Sequence, residues 1–146
     1  MIARLAGLAI DARVAINGPR NAGSHASAAR WIAANALAVR GVRVTLEGDL
    51  PRAPRVLALH ASTFTAAIAA LAAVPALLDA ATVPRRWRLL LCALGVPTLE
   101  GARSTAVHDG ASVLECTTSA SCELAVDREL DGFRVRIAPA RRMLVA

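Results

Sequence analysis

The chain has no lysine, no glutamine and no tyrosine, and only two tryptophans and two phenylalanines. With so few aromatic rings it lacks the platforms on which nucleic-acid bases stack. Its core must come from valine, leucine, isoleucine and alanine. The three cysteines, Cys92, Cys116 and Cys122, form no C-x-x-C pair. That spacing offers neither a zinc site nor a disulfide framework, and reduced thiols are expected. Long apolar runs are also missing. The longest, from Ala66 to Leu78, is thirteen residues and is interrupted by Pro75, whereas a spanning helix needs about 20. Met1 to Ile10 holds too few apolar residues for the core of a secretory leader. No transmembrane segment is expected.

The 146 residues suit one domain. Hydrophobic residues make up 55%, with a mean hydropathy of +0.47, but much of this is alanine, which buries little area per residue. All 17 basic residues are arginine, and the net charge of +6 favours an anionic partner. Phospholipid headgroups, a phosphorylated substrate and nucleic acid all qualify. Arginine suits phosphate because its planar fork donates two hydrogen bonds at once.

Strands interleave with helices along the chain, which predicts an α/β fold: one domain, residues 1–146, with a mixed, mostly parallel sheet flanked by helices. Residues 1–23 form a poorly defined N-terminal segment ending in the turn-rich run Asn17 to Gly23. Ser24 is placed to cap a helix reaching Val39, stopped by Arg40-Gly41. Val42 to Gly48 alternates as a half-buried strand does, and Arg55 to Leu59 reads as a more buried one. Ser62 or Thr63 should cap a second helix to about Leu78, followed by a short strand at Thr82-Val83. Pro84 to Arg88 opens a third helix through Leu94, closed by Gly95. Further strands are expected at Val96–Leu99, Ser112–Glu115, Glu123–Val126 and Phe133–Ile137.

Between two of these elements lies His60, at the carboxyl end of the Arg55–Leu59 run and just before Ala61-Ser62-Thr63. Open α/β sheets place their chemistry at that end. Four segments in order resemble the lysophospholipid (glycerol-phosphate) acyltransferase family. Val42 to Gly48 with Pro51 to Leu57 looks like its lead-in. His60 begins a run similar to its N-H-x-S-x-x-D box. Pro84 to Val96 resembles its third segment, and Val113-Leu114-Glu115-Cys116-Thr117-Thr118-Ser119 its P-E-G-T-T-S box. The likeness covers roughly Trp31 to Ser121. No family motif is intact: Leu59 replaces the Asn, Thr65 the Asp, and Cys116 the Gly. Gly101 stands where the family has a phosphate-contacting Arg, with Arg103 two residues later. The stretch from Gly101 to Glu115 and the chain beyond the fourth box are shorter than in the family, so a truncated sheet is expected.

The resemblance implies a function. A histidine acts as general base on an acceptor hydroxyl, because an alcohol attacks poorly until a positioned base takes its proton. The acyl thioester of coenzyme A or acyl carrier protein is a substrate, so no metal and no bound cofactor are expected. His60 is the implied catalytic base, and Glu115, Arg103 and Thr117 the implied binding residues for a lysophospholipid or glycerol-phosphate acceptor. Thr65 cannot supply the charge that supports an imidazolium. In a Ser-His-Asp enzyme of another fold, loss of that support costs about 10⁴ in rate. The implied location is the cytoplasm, with peripheral contact at the inner face of the membrane.

Blander readings stand beside these. His60 also fits a satisfied histidine at a strand end, and His25 and His108 fit surface residues. Glu115 reads equally as a solvent-facing strand end. Cys116 fits a buried structural thiol better than a nucleophile. The Arg85, Arg86, Trp87, Arg88 cluster suits either a lipid interface or a solvated first turn with Trp87 in the core. Ala66 to Leu78 suits an acyl-chain groove or a close-packed helix. Arg141-Arg142 suits a solubilising tail. Two other functions compete: a non-catalytic lipid- or partner-binding remnant of the same fold, and a basic nucleic-acid binder, for which no specific motif is legible.

Overall fold

The computed structural model describes residues 22–118 and 122–138. The turn-rich run through Asn21, Ser119 of the fourth segment and the Arg141-Arg142 tail lie outside these residues. In order the elements are α1 (Ala22–Val39), β1 (Arg43–Glu47), β2 (Val56–His60), α2 (Phe64–Ala73), β3 (Ala76–Leu78), a 3₁₀ turn (Ala80–Thr82), α3 (Arg85–Leu94), α4 (Arg103–His108), β4 (Ser112–Cys116), β5 (Leu124–Glu129) and β6 (Gly132–Ile137). The strands form one six-stranded sheet in the order β1-β6-β5-β2-β4-β3. Every neighbouring pair is parallel except the β5–β6 hairpin. The fold is therefore α/β with a mixed, mostly parallel sheet flanked by helices, as the alternation of elements predicts.

Strand alternation divides the sheet into two faces. Leu57 and Leu59 of β2, Leu114 of β4, Leu124 of β5 and Val135 of β6 are almost wholly buried and join the core beneath α1 and α2. Val113 and Glu115 of β4 point the other way, towards α4, where Ala106 is buried. Alanine determines how close the two large helices come. Ala26, Ala29 and Ala33 of α1 and Ala67, Ala69 and Ala70 of α2 are buried with at most 2% exposure. Small side chains on both surfaces let the helix backbones approach, and the leucines of the sheet pack beneath them. Trimming one of these leucines to alanine costs about 2–5 kcal/mol.

Several boundaries depart from expectation for identifiable reasons. α1 begins by Ala22, which puts Ser24 inside the helix rather than at its cap. Thr63 does cap α2: its side-chain oxygen accepts from the Ala66 amide at 3.2 Å. That helix stops at Ala73 instead of Leu78. Pro75 has no amide proton and pushes its predecessor out of helical geometry, and Val74 is extended, with φ −122° and ψ 126°. The freed Ala76–Leu78 becomes β3 and pairs with Ser112–Leu114. Thr82-Val83 is no strand, because Asp79 caps a 3₁₀ turn there. Val96–Leu99 contributes only a single bridge, Leu99 to Asp79; Pro97 has no amide to donate to a ladder. β1 is more exposed than a half-buried strand, since it is an edge and only Val44 is partly covered. The helix α4 was not expected.

Gly132 marks a close approach between β6 and β1. A Cβ there would lie 1.8 Å from the Arg43 carbonyl oxygen, so any side chain forces the two strands apart. Gly132→Ala is expected to destabilise the protein by about 1–3 kcal/mol, read as a lower midpoint in urea unfolding. An unchanged midpoint would contradict this pairing.

Candidate functional site

The candidate site is built on the carboxyl ends of β2, β3 and β4. β2 and β4 run parallel in register from Val56 opposite Val113 to Leu59 opposite Cys116. Beyond the last pair, the Thr117 amide donates to the Leu59 carbonyl at 2.9 Å. Ala58 lies beside Glu115, and His60 follows Ala58 by two residues, so His60 and Glu115 emerge on the same sheet face. His60 is exposed and makes no side-chain hydrogen bond or ion pair among the described residues.

Three of the polar side chains at this end form a cluster. The Arg103 guanidinium, carried by the first turn of α4, donates from Nε to Asp79 Oδ2 at 2.7 Å and from Nη1 to Glu115 Oε2 at 2.9 Å. Asp79 is only 5% exposed. Its second carboxylate oxygen accepts from the Ala81 amide at 3.2 Å, and its backbone amide donates to the Leu114 carbonyl. The Thr82 hydroxyl donates to the Asp79 carbonyl at 2.8 Å and accepts from the Cys116 amide at 3.1 Å. One arginine thus ties together the ends of β3 and β4.

Of the sequence-derived candidates, the structure joins Arg103 to Glu115, and joins Thr117 through its backbone to the end of β2. It does not join His60 to Thr65. Thr65 sits in the first turn of α2 and lines an apolar groove of 560 Å³ with Asn35, Leu37, Phe64, Ile68, Leu90 and Leu94. Asp79 is the site residue that sequence reading missed. Its signal was a lone carboxylate directly after the apolar Leu77-Leu78, hidden by extending the α2 helix as far as Leu78. His25 is partly covered within α1, and His108 is exposed at the end of α4.

Cys116 is half-buried at the end of β4. Burial pushes its thiol above the ordinary value, the nearby Asp79 charge pushes the same way, and the hydrogen bond with Thr82 opposes both. A raised thiol pKa means less thiolate at any given pH, which disfavours Cys116 as a nucleophile. Among the described residues no group of three or more His, Cys, Asp or Glu side chains is placed to hold a metal ion. No helix among them is long and apolar enough to cross a membrane.

Two outcomes follow from this geometry. Arg103→Ala strands the buried Asp79 carboxylate, and because the arginine side chain is 41% exposed the cost falls to about 2–3 kcal/mol, below that of a fully buried pair. Arg103→Lys recovers only part of it, since an ammonium cannot make the forked contact; urea melts of the three proteins provide the check. With iodoacetamide at neutral pH, the exposed Cys92 is expected to alkylate before Cys116, and peptide mass mapping of a time course reads the order.

No family model, no curated protein and no solved structure matches this chain.

Proposed function

We propose that the chain is a divergent acyltransferase-like protein. It would transfer a fatty acyl group from an acyl thioester, on coenzyme A or acyl carrier protein, to a hydroxyl of a lysophospholipid or glycerol-phosphate acceptor. The observation that carries this reading is the position of His60: exposed at the carboxyl end of a parallel strand, on the same sheet face as Glu115. In the proposed step the imidazole takes the acceptor's hydroxyl proton, and the oxygen attacks the thioester carbonyl. A C–O bond forms, the C–S bond breaks, and the departing thiolate receives the proton from the imidazolium. Glu115, Arg103 and Thr117 would line the acceptor's polar head. With Thr65 in place of a supporting carboxylate, turnover is expected to be slow.

A second reading is favoured by the Arg103 cluster. The arginine already serves two carboxylates of its own chain, so its charge is largely spent before a phosphate arrives. That suits a non-catalytic lipid- or partner-binding remnant of the same fold.

The deciding experiment incubates purified protein with a long-chain acyl thioester and a panel of lysophospholipids, beside His60→Ala. Because His60 is exposed, the substitution is expected to leave the fold intact, which circular dichroism checks. Acyl transfer that falls to background in the variant supports the first reading. Transfer at an unchanged rate rejects His60 as the base. No transfer from folded wild-type protein favours the remnant.

A further inference from the structure

On the outer side of α3, exposed apolar side chains stand beside arginines that form no ion pair among the described residues. Trp87 and Leu91 face inward, at 7% and 1% exposure, and Trp87 packs edge-on against Phe64 with ring centroids 6.1 Å apart. The lipid-interface position considered for Trp87 is therefore taken by the core. The leucines beside it are different. Leu89 is 64% exposed, Leu90 47% and Leu94 43%. At about 3.6 residues per turn, Leu89 and Ala93 stand one turn apart, as do Leu90 and Leu94. They make one apolar stripe, and its inner edge (Leu90, Ala93, Leu94) is also a wall of the 560 Å³ groove.

Arginines surround this stripe. Arg85, Arg86 and Arg88 are exposed in the first turns of α3, and Arg40 borders the groove from the end of α1. None of the four takes part in an ion pair among the described residues, whereas Arg43, Arg55, Arg103, Arg134 and Arg136 all do. Three positive charges at a helix N-terminus oppose the helix dipole, and an anion outside the protein relieves that conflict. No side chain caps this helix.

We infer that this face of α3 docks on an anionic lipid surface, with Leu89, Leu90 and Leu94 entering the headgroup boundary and Arg40, Arg85, Arg86 and Arg88 meeting phosphates. Exposed apolar side chains beside unpaired arginines match the two terms that hold a helix at a membrane interface, buried apolar area and attraction to anionic lipid. The leucines project on the outer side of the helix as well as into the groove, which favours a broad surface over a peptide seated in the groove alone. The inference makes no use of His60 or of acyl transfer, so it stands or falls separately from the reading above.

The test is co-sedimentation of the full chain with vesicles of phosphatidylcholine, with and without phosphatidylglycerol. Binding to the anionic vesicles only is expected, weakening as salt rises. Arg86→Gln should lower partitioning roughly fivefold, the effect of about one surface arginine. Arg52→Gln, the same charge change on the exposed loop after β1, should leave it unchanged. Leu89→Gln should weaken binding while keeping its salt dependence. The proposal is overturned by equal binding to neutral vesicles, by equal effects of Arg86→Gln and Arg52→Gln, or by a chain that binds an acidic amphipathic peptide but no vesicle.

Discussion

In-register parallel pairing of β2 with β4 is the constraint on which the candidate site is built. It sets Leu57 beside Leu114 and Leu59 beside Cys116, and the buried leucines fix the register, since a one-residue slip would turn them out of the core. The same register brings His60, Glu115 and Thr117 to one end of the sheet. β3 then adds to the outer side of β4, which carries Asp79 to the same end. The Arg103 contacts to Asp79 and Glu115 close the arrangement by joining α4 to both strands. The chemistry of this end is thus a consequence of how the core packs.

The two arginine-bearing regions of the molecule differ in electrostatic character. Around Arg103, charge is paired within the chain: one guanidinium serves both the buried Asp79 carboxylate and Glu115. Around α3, arginines without an ion pair among the described residues stand beside exposed leucines. Paired charge ties elements of a fold together, whereas unmatched charge at an apolar edge is available to a partner. This contrast separates the structural role of the Arg103 cluster from the docking role proposed for α3, although both rely on arginine in a chain without lysine.

Much of this architecture was legible in the sequence because the controlling signals are local. Thr63 before an apolar helix, Gly95 at φ 77° after Leu94 and the alternation of Phe133–Ile137 each act over a few residues. β3 was not read because thirteen apolar residues suit a helix and a strand alike. Pro75 decides between them, ending the helix before it and freeing Ala76–Leu78 to pair as a strand. The Arg103–Asp79–Glu115 cluster was half legible. Arg103 and Glu115 were named through the resemblance, but Asp79 lies 24 residues from Arg103, and only the tertiary fold brings the two together. α4 is six residues long, too short for a periodic signal.

The central claim is that an acceptor lipid binds at the shared carboxyl end of β2 and β4. Its most direct test is an NMR titration of the labelled protein with a short-chain lysophosphatidic acid below its micelle concentration, following the His60 imidazole and the backbone amides. Saturable shifts at His60, Glu115 and Thr117 are predicted, with the amides of β1 and β6 unmoved. Shifts confined to other parts of the chain, or none at all from a folded protein, would contradict the account.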